Sequence, residues 1–159
     1  MSTHSTSTLL EVAEKAENII HNVFATKGED FAFSIPEAML VGIKANSDGT
    51  LIDVQPEIAS NADIYTLLEN VNPKLLMDFT AIGLVTCGWA APIPQGQDEP
   101  ESAPSEHPDR RRVRLFVCVS RAEMASVLRF QDESQTPVLD AGEARGPLAE
   151  AILDLMSRV

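Results

Sequence analysis

The stretch from Arg110 to Gln131, RRRVRLFVCVSRAEMASVLRFQ, decides how the rest of the chain must fold. Its first apolar run, Val113 to Val119, is rich in β-branched and aromatic residues, is too short for a typical helix and is bounded by charge. Residues Ser120 to Glu123 are typical of a turn, and a second strand-like run follows from Met124 to Gln131. The stretch therefore predicts an antiparallel β-hairpin.

The alternation of side chains predicts the register of this hairpin. With the loop over 120–123, one face is almost wholly apolar, as a core face should be. Its predicted pairs are Val119 with Met124, Val117 with Ser126, Leu115 with Leu128, and Val113 with Phe130. The pairs on the other face are Cys118 with Ala125, Phe116 with Val127, Arg114 with Arg129, and Arg112 with Gln131. A slip of one residue would mix the two faces, so the pattern favours this register.

Positive charge is concentrated at the open end of the second face. Arg114 and Arg129 are directly opposed, and Arg112 lies two residues along the strand. Like charges that face each other across a strand pair are destabilising, so we expect a negative group beside them. One source is the chain itself, with four candidate carboxylates: Glu106, Asp109, Asp132 and Glu133.

The other source is an external anion, and it defines a candidate ligand-binding site. The residues of this site are Arg112, Arg114, Arg129 and His107, with residues 106–109 as a lid. Guanidinium groups bind carboxylates and phosphates in bidentate fashion. The expected partner is therefore a small anion or an acidic protein segment.

The remaining sequence predicts an α+β fold. Apolar residues recur at helical spacing from Leu9 to Ala25 and again from Pro147 to Val159. Between them we expect a hairpin with strands Met39–Ala45 and Thr50–Val54, and then a helix over Asn61–Val71. A strand over Ala81–Ala91 follows, and it is apolar on both faces. Residues 132–145 are polar and rich in turn formers. We expect a mainly antiparallel sheet flanked by N-terminal and C-terminal amphipathic helices.

The predicted core lies on the apolar face of the hairpin. We expect Leu115, Val117 and Leu128 to be buried there. Isoleucines of the two terminal helices should pack over the sheet, namely Ile19, Ile20 and Ile152. The whole chain of 159 residues is expected to form one domain, with a flexible, acidic and proline-rich loop at about 93–109.

Charge and hydropathy limit the partners. The net charge of −12 should repel nucleic acids and anionic membranes. No apolar run approaches the roughly 18 residues that predict a membrane span. The first residues, MSTHSTST, lack the basic and apolar regions of a secretory signal. We therefore expect a cytoplasmic protein without nucleic-acid or membrane partners.

No specific catalytic constellation is present in the sequence. It has no P-loop, GxGxxG, GxSxG or HExxH motif. The histidines His4, His21 and His107 are far apart, and Cys87 and Cys118 form no CxxC motif. We expect no metal and no cofactor, and a domain that binds or regulates rather than catalyses.

Two alternatives stay open at this point. One is an enzyme that processes a small anion with the arginine cluster, with His107 as acid–base group. The other is a protein–protein adaptor that pairs through a sheet edge or the first helix, and a homodimer is compatible with it.

Three segments in the second half of the chain resemble a group of uncharacterised bacterial proteins of the actinobacterial type. The segments are Cys87–Pro92 (CGWAAP), 105–113 (SEHPDRRRV) and Ala125–Arg129 (ASVLR). The resemblance covers roughly the C-terminal half. It implies a small, intracellular bacterial protein and carries no activity.

Overall fold

A six-stranded antiparallel sheet forms the centre of the protein, with strand order β2-β1-β3-β4-β5-β6. The computed structural model describes residues 8–35, 37–46, 48, 50–72, 74, 77–90, 106, 108–120, 123–133 and 135–141. The strands are β1 (Ala38–Ala45), β2 (Leu51–Asn61), β3 (Ala81–Ala90), β4 (Arg111–Val119), β5 (Met124–Phe130) and β6 (Val138–Ala141). The helices are α1 (Thr8–Ala25), α2 (Glu29–Ala32) and α3 (Ile64–Asn70). The predicted α+β class with an antiparallel sheet is confirmed.

The predicted register of the β4–β5 hairpin is confirmed over seven pairs, from Val119 opposite Met124 to Val113 opposite Phe130. A backbone hydrogen bond closes the turn, since the amide of Ser120 donates to the carbonyl oxygen of Glu123 at 3.0 Å. The predicted pair of Arg112 with Gln131 is not formed. The chain leaves the strand at Gln131 and enters a short 3-10 helix over Gln131–Glu133.

The second strand of the N-terminal hairpin is longer than the sequence predicts. We expected it to end at Val54, before Gln55 and Pro56, but β2 continues to Asn61. The register shifts between Leu40 opposite Ala59 and Gly42 opposite Gln55, which is a β-bulge around Pro56. A proline lacks the amide that a ladder needs, yet an edge strand with a bulge tolerates it. The edge position of β2 therefore explains why the prediction was wrong.

The last strand was not predicted. β6 pairs with β5 in a region that we assigned to turns, with Val127 opposite Leu139 and Leu128 opposite Val138. It has only four residues and lies at the edge of the sheet. Such a short strand has too few alternations to stand out from its polar surroundings.

Both faces of the sheet are covered, whereas we expected a single core face on the hairpin. The face that carries Phe116 and Cys118 packs against α1, and the face that carries Val117 and Val119 packs with α3. The strand β3 lies in the middle of the sheet between β1 and β4, as its two apolar faces predict. The arginine face of the hairpin is therefore also a core face.

The details of the predicted core are partly wrong. Val117 and Ile20 are buried, but Leu115 and Leu128 are only half-buried. Ile19 is 42% exposed because it lies on the flank of the buried stripe of α1. Ile152, the predicted helix from Pro147 to Val159, and nearly all of the loop at 93–109 lie outside the described residues.

Candidate functional site

The strand pair that brings Arg114 and Arg129 together lies beneath α1, and Glu17 of that helix points between them. Glu17 is 1% exposed, Arg114 1% and Arg129 3%. Glu17 stands within the buried stripe of α1, next to Ala16 and one turn before Ile20. The helix thus inserts one carboxylate into an otherwise apolar contact with the sheet. We call Glu17, Arg114 and Arg129 the buried triad.

Both oxygens of Glu17 accept hydrogen bonds from the two guanidinium groups. Arg129 donates from Nε to Oε2 at 2.9 Å and from Nη2 to Oε1, which is a bidentate arrangement. Arg114 donates from Nη2 to Oε2 at 2.8 Å. Arg129 also donates to the side-chain oxygen of Asn18 at 2.7 Å. The carboxylate therefore compensates the repulsion that the opposed arginines would otherwise have.

Arg114 also connects the sheet to the segment after α1. Its Nη1 donates to the carbonyl of Ala32, the last residue of α2, at 2.7 Å. Its guanidinium lies 5.1 Å from the ring centroid of Phe33 and 5.6 Å from that of Phe24. The buried triad carries one excess positive charge, and these aromatic faces stabilise it. Within the described residues, the buried Nε of Arg114 has no hydrogen-bond partner.

His21 belongs to the same cluster and is half-buried. Its Nδ1 lies 2.8 Å from Nη2 of Arg114. Because a guanidinium can only donate, Nδ1 accepts this bond. Nδ1 therefore carries no proton, and the imidazole is neutral. The ring also packs edge-on against Phe33, with 6.0 Å between the ring centroids.

The electrostatics of the cluster favour a charged Glu17 and a neutral His21. Burial alone would raise the pKa of Glu17, but the hydrogen bonds and charges of Arg129 and Arg114 outweigh it and lower that pKa. Burial lowers the pKa of His21, and the neighbouring Arg129 and Arg114 lower it further. Burial likewise lowers the pKa of Arg114, against the opposing effect of Glu17. At neutral pH we therefore expect Glu17 to be charged and His21 to be neutral.

Arg112 lies at the edge of this cluster and is only half-buried. Its Nε donates to the carbonyl of Phe33 at 2.7 Å. It lies opposite Trp89 in the β3–β4 ladder, and its guanidinium is 5.0 Å from the centroid of the indole ring. Arg110 approaches the same ring at 4.9 Å. Trp89 itself is 39% exposed. We call Trp89, Arg110 and Arg112 the Trp89 surface.

Two of the four carboxylates that we expected beside the central arginines, Asp132 and Glu133, bind another arginine. Arg111 donates to Asp132 at 2.9 and 2.5 Å and to Glu133 at 2.6 Å. Its guanidinium also lies over the ring of Phe130, 3.9 Å from its centroid. The prediction of an intramolecular carboxylate was therefore right in kind, but wrong in naming these residues for Arg114 and Arg129.

The four predicted site residues thus have different positions. The structure brings Arg114 and Arg129 together inside the core and places Arg112 at the surface beside them. His107 lies outside the described residues. Sequence reasoning missed Glu17, and the only local signal was a charged residue within the apolar stripe of a helix. It also missed the contact between Trp89 and Arg112, although both lie in predicted strands.

The thiols offer little reactivity. Cys87 lies opposite Arg114 in the β3–β4 ladder, and Cys118 is fully buried. Burial raises the pKa of the Cys87 thiol and raises that of Cys118 to about 12. In the described part of the chain, no three histidine, cysteine or acidic side chains group as a metal site would require. Across that part, no helix is long and apolar enough to cross a bilayer.

Comparisons of the chain with models of known families, with curated proteins and with solved structures gave no match.

Proposed function

We propose that this protein is a cytoplasmic binding domain whose ligand carries an anionic group, and that the Trp89 surface receives this group. The ligand is a small anion or an acidic protein segment. The observation that carries the proposal is the approach of two guanidinium groups, Arg110 and Arg112, to one exposed indole. We also propose that residues 147–159 form an amphipathic helix that flanks the sheet, as α1 does.

The chemistry of Arg112 supports recognition of an anion. Within the described residues, the hydrogen bond to the Phe33 carbonyl is made by Nε, so the two terminal nitrogens stay available for a carboxylate or phosphate. The indole of Trp89 holds the guanidinium plane on one side. A guanidinium that is fixed in this way loses little freedom on binding, which favours affinity.

The buried triad helps to fix the position of Arg112 in the Trp89 surface. Arg112 and Arg114 are two residues apart on β4 and donate to the carbonyls of neighbouring residues, Phe33 and Ala32. Glu17 anchors Arg114 from α1. Strand β4 and the segment after α2 are therefore tied together at two points, which sets the position of Arg112. In this proposal Arg114 and Arg129 position the site, and the ligand contacts Arg112.

Trp89 is the only tryptophan of the chain, and its fluorescence therefore reports on this surface alone. We expect inorganic phosphate, or a glutamate-rich peptide, to change that fluorescence in a saturable way at fixed ionic strength. Fixed ionic strength separates binding from general screening of charge. Saturation by phosphate would identify a small anion, and saturation by the peptide alone would identify an acidic segment.

Two variants distinguish a site from a nonspecific effect. Arg112→Gln should abolish the saturable change while the protein stays folded. Arg111→Gln is the matched control, because Arg111 is adjacent in sequence but is held by Asp132 and Glu133. Equal titration curves for the two variants, or no saturable change in the wild type, would refute the proposal.

A further inference from the structure

A cavity lies on the same side of the sheet as the Trp89 surface, at the end of α1, and is distinct from that surface. Its volume is about 230 Å³. Its walls come from α1, α2, the segment before β1, and the strands β1 and β2. The apolar wall includes Phe24, Phe31, Ile35 and Met39, and Lys27 also lines the cavity. A concave, mostly apolar cavity with a few polar groups is the usual form of a small-molecule site.

The aromatic wall of this cavity already attracts a cation. Phe24 and Phe31 stand edge to face, with 5.8 Å between their centroids. The ammonium of Lys27 lies over the ring of Phe31, 5.2 Å from its centroid. Lys27 therefore already occupies this face of Phe31, so a ligand cation is left to the carboxylates of the cavity.

Carboxylates stand at the same cavity. Glu37 and Glu57 both line it. Glu37 accepts a hydrogen bond from the hydroxyl of Ser60 at 3.2 Å. Across the described residues, the carboxylate of Glu57 makes neither a hydrogen bond nor an ion pair. The chain as a whole carries a net charge of −12, which draws cations towards it at long range.

We propose that this cavity binds a small organic cation with an apolar body, such as an alkylammonium or arylammonium compound. The apolar body fills the space between Phe24, Ile35 and Met39. The ammonium group lies towards the carboxylates of Glu57 and Glu37, because Lys27 already covers the face of Phe31. Charge complementarity selects a cation over a neutral or anionic compound of the same shape, and this site is independent of the anion site proposed at Trp89.

Benzylammonium and benzyl alcohol form a matched pair of probes, since they share a ring and differ in charge. Backbone amide NMR titration of the full chain locates the binding and measures affinity. We expect benzylammonium to shift amides around Phe31 and Met39 and to bind about fivefold more tightly than benzyl alcohol. Benzoate should bind more weakly than either compound.

Substitutions at the cavity test which groups select the cation. Glu57→Gln should reduce the affinity for benzylammonium and leave that for benzyl alcohol unchanged, whereas Phe31→Leu should weaken the binding of both compounds. Glu69→Gln is the control, because Glu69 is an exposed carboxylate on α3 that does not line the cavity. Equal affinities for benzylammonium and benzyl alcohol would overturn the proposal, as would shifts confined to other parts of the protein or the absence of binding.

Discussion

Arg114 on β4 and Arg129 on β5 stand directly opposite each other, and both donate to the one carboxylate of Glu17 on α1. The residues are 97 and 112 positions from Glu17 in the sequence. Because all three side chains are buried, the helix can dock on the sheet only when these charges meet. The triad therefore ties the start of the chain to the central hairpin.

Removing the carboxylate should be costly. Glu17→Gln leaves two buried guanidinium groups without a counter-charge, and we expect a loss of about 3–5 kcal/mol in the free energy of unfolding. Glu14→Gln, an exposed change one turn earlier on α1, should stay within about 0.5 kcal/mol. Urea denaturation at neutral pH measures both. A cost below about 1 kcal/mol for Glu17→Gln would show that the arginines find other partners.

Replacing the whole triad should cost far less than breaking it. In the variant with Glu17→Leu, Arg114→Met and Arg129→Met, the buried charges and their desolvation cost disappear together. We expect its stability to exceed that of Glu17→Gln, because apolar side chains of similar volume often replace buried ion pairs without loss. The same urea measurements test this strong non-additivity. A triple variant that is less stable than Glu17→Gln would contradict the expectation.

The stability of the protein should fall in mild acid because of His21. Burial, with Arg129 and Arg114 nearby, lowers the pKa of His21 in the folded state. As the pH falls below the ordinary histidine pKa of about 6.5, the unfolded chain binds a proton that the folded chain resists, so the free energy of unfolding decreases. The pKa of Glu17 is also lowered, and its contribution is lost only at more acidic pH, below the ordinary value of 4.5.

His21→Gln isolates the histidine contribution. The amide oxygen of glutamine can accept the bond from Arg114 but does not titrate. We expect the free energy of unfolding of this variant to depend less on pH than that of the wild type between about pH 7 and pH 5. Denaturation curves at several pH values provide the test, and identical slopes for the two proteins would assign the pH dependence to other groups.

Phosphate should distinguish the buried arginines from the half-buried Arg112. If phosphate binds at the Trp89 surface, it raises the wild-type melting temperature by mass action. Arg129→Gln should lower that temperature, because it removes a partner of Glu17, yet it should keep the rise with phosphate. Arg112→Gln should lose the rise. Loss of the response in Arg129→Gln alone would instead place the anion inside the triad.

Gly83 should not tolerate a side chain. A Cβ at this position would collide with the ring of Phe116, which is fully buried against α1. We expect Gly83→Ala to lower the free energy of unfolding by about 1–3 kcal/mol through overpacking. Adding Phe116→Leu should cost less in the Gly83→Ala background than in the wild type. Strict additivity of the two changes would show that the ring moves aside freely. Gly88 has open space around its Cβ position and serves as the control.

The hairpin was predictable because its information is local. A period of two over Val113 to Val119 and over Met124 to Phe130 admits one pairing that keeps the faces separate, and seven of the eight predicted pairs form. The α1 helix was predictable for the same reason, from its repeat of 3.6 residues. Strand β6 and the bulge in β2 carry no such repeat, and for this reason they were missed.

The sequence by itself determined the β4–β5 register, the α+β class and the existence of an arginine pair that requires a negative partner. Only the tertiary structure decided that this partner is Glu17 and that the guanidinium of Arg112 packs against the indole of Trp89. The reason is physical. Strand register follows from side chains that alternate along one segment, whereas docking of α1 over β4 and β5 depends on which face of the sheet each helix covers. Both hairpin faces are apolar enough to be covered, so the local pattern left that choice open.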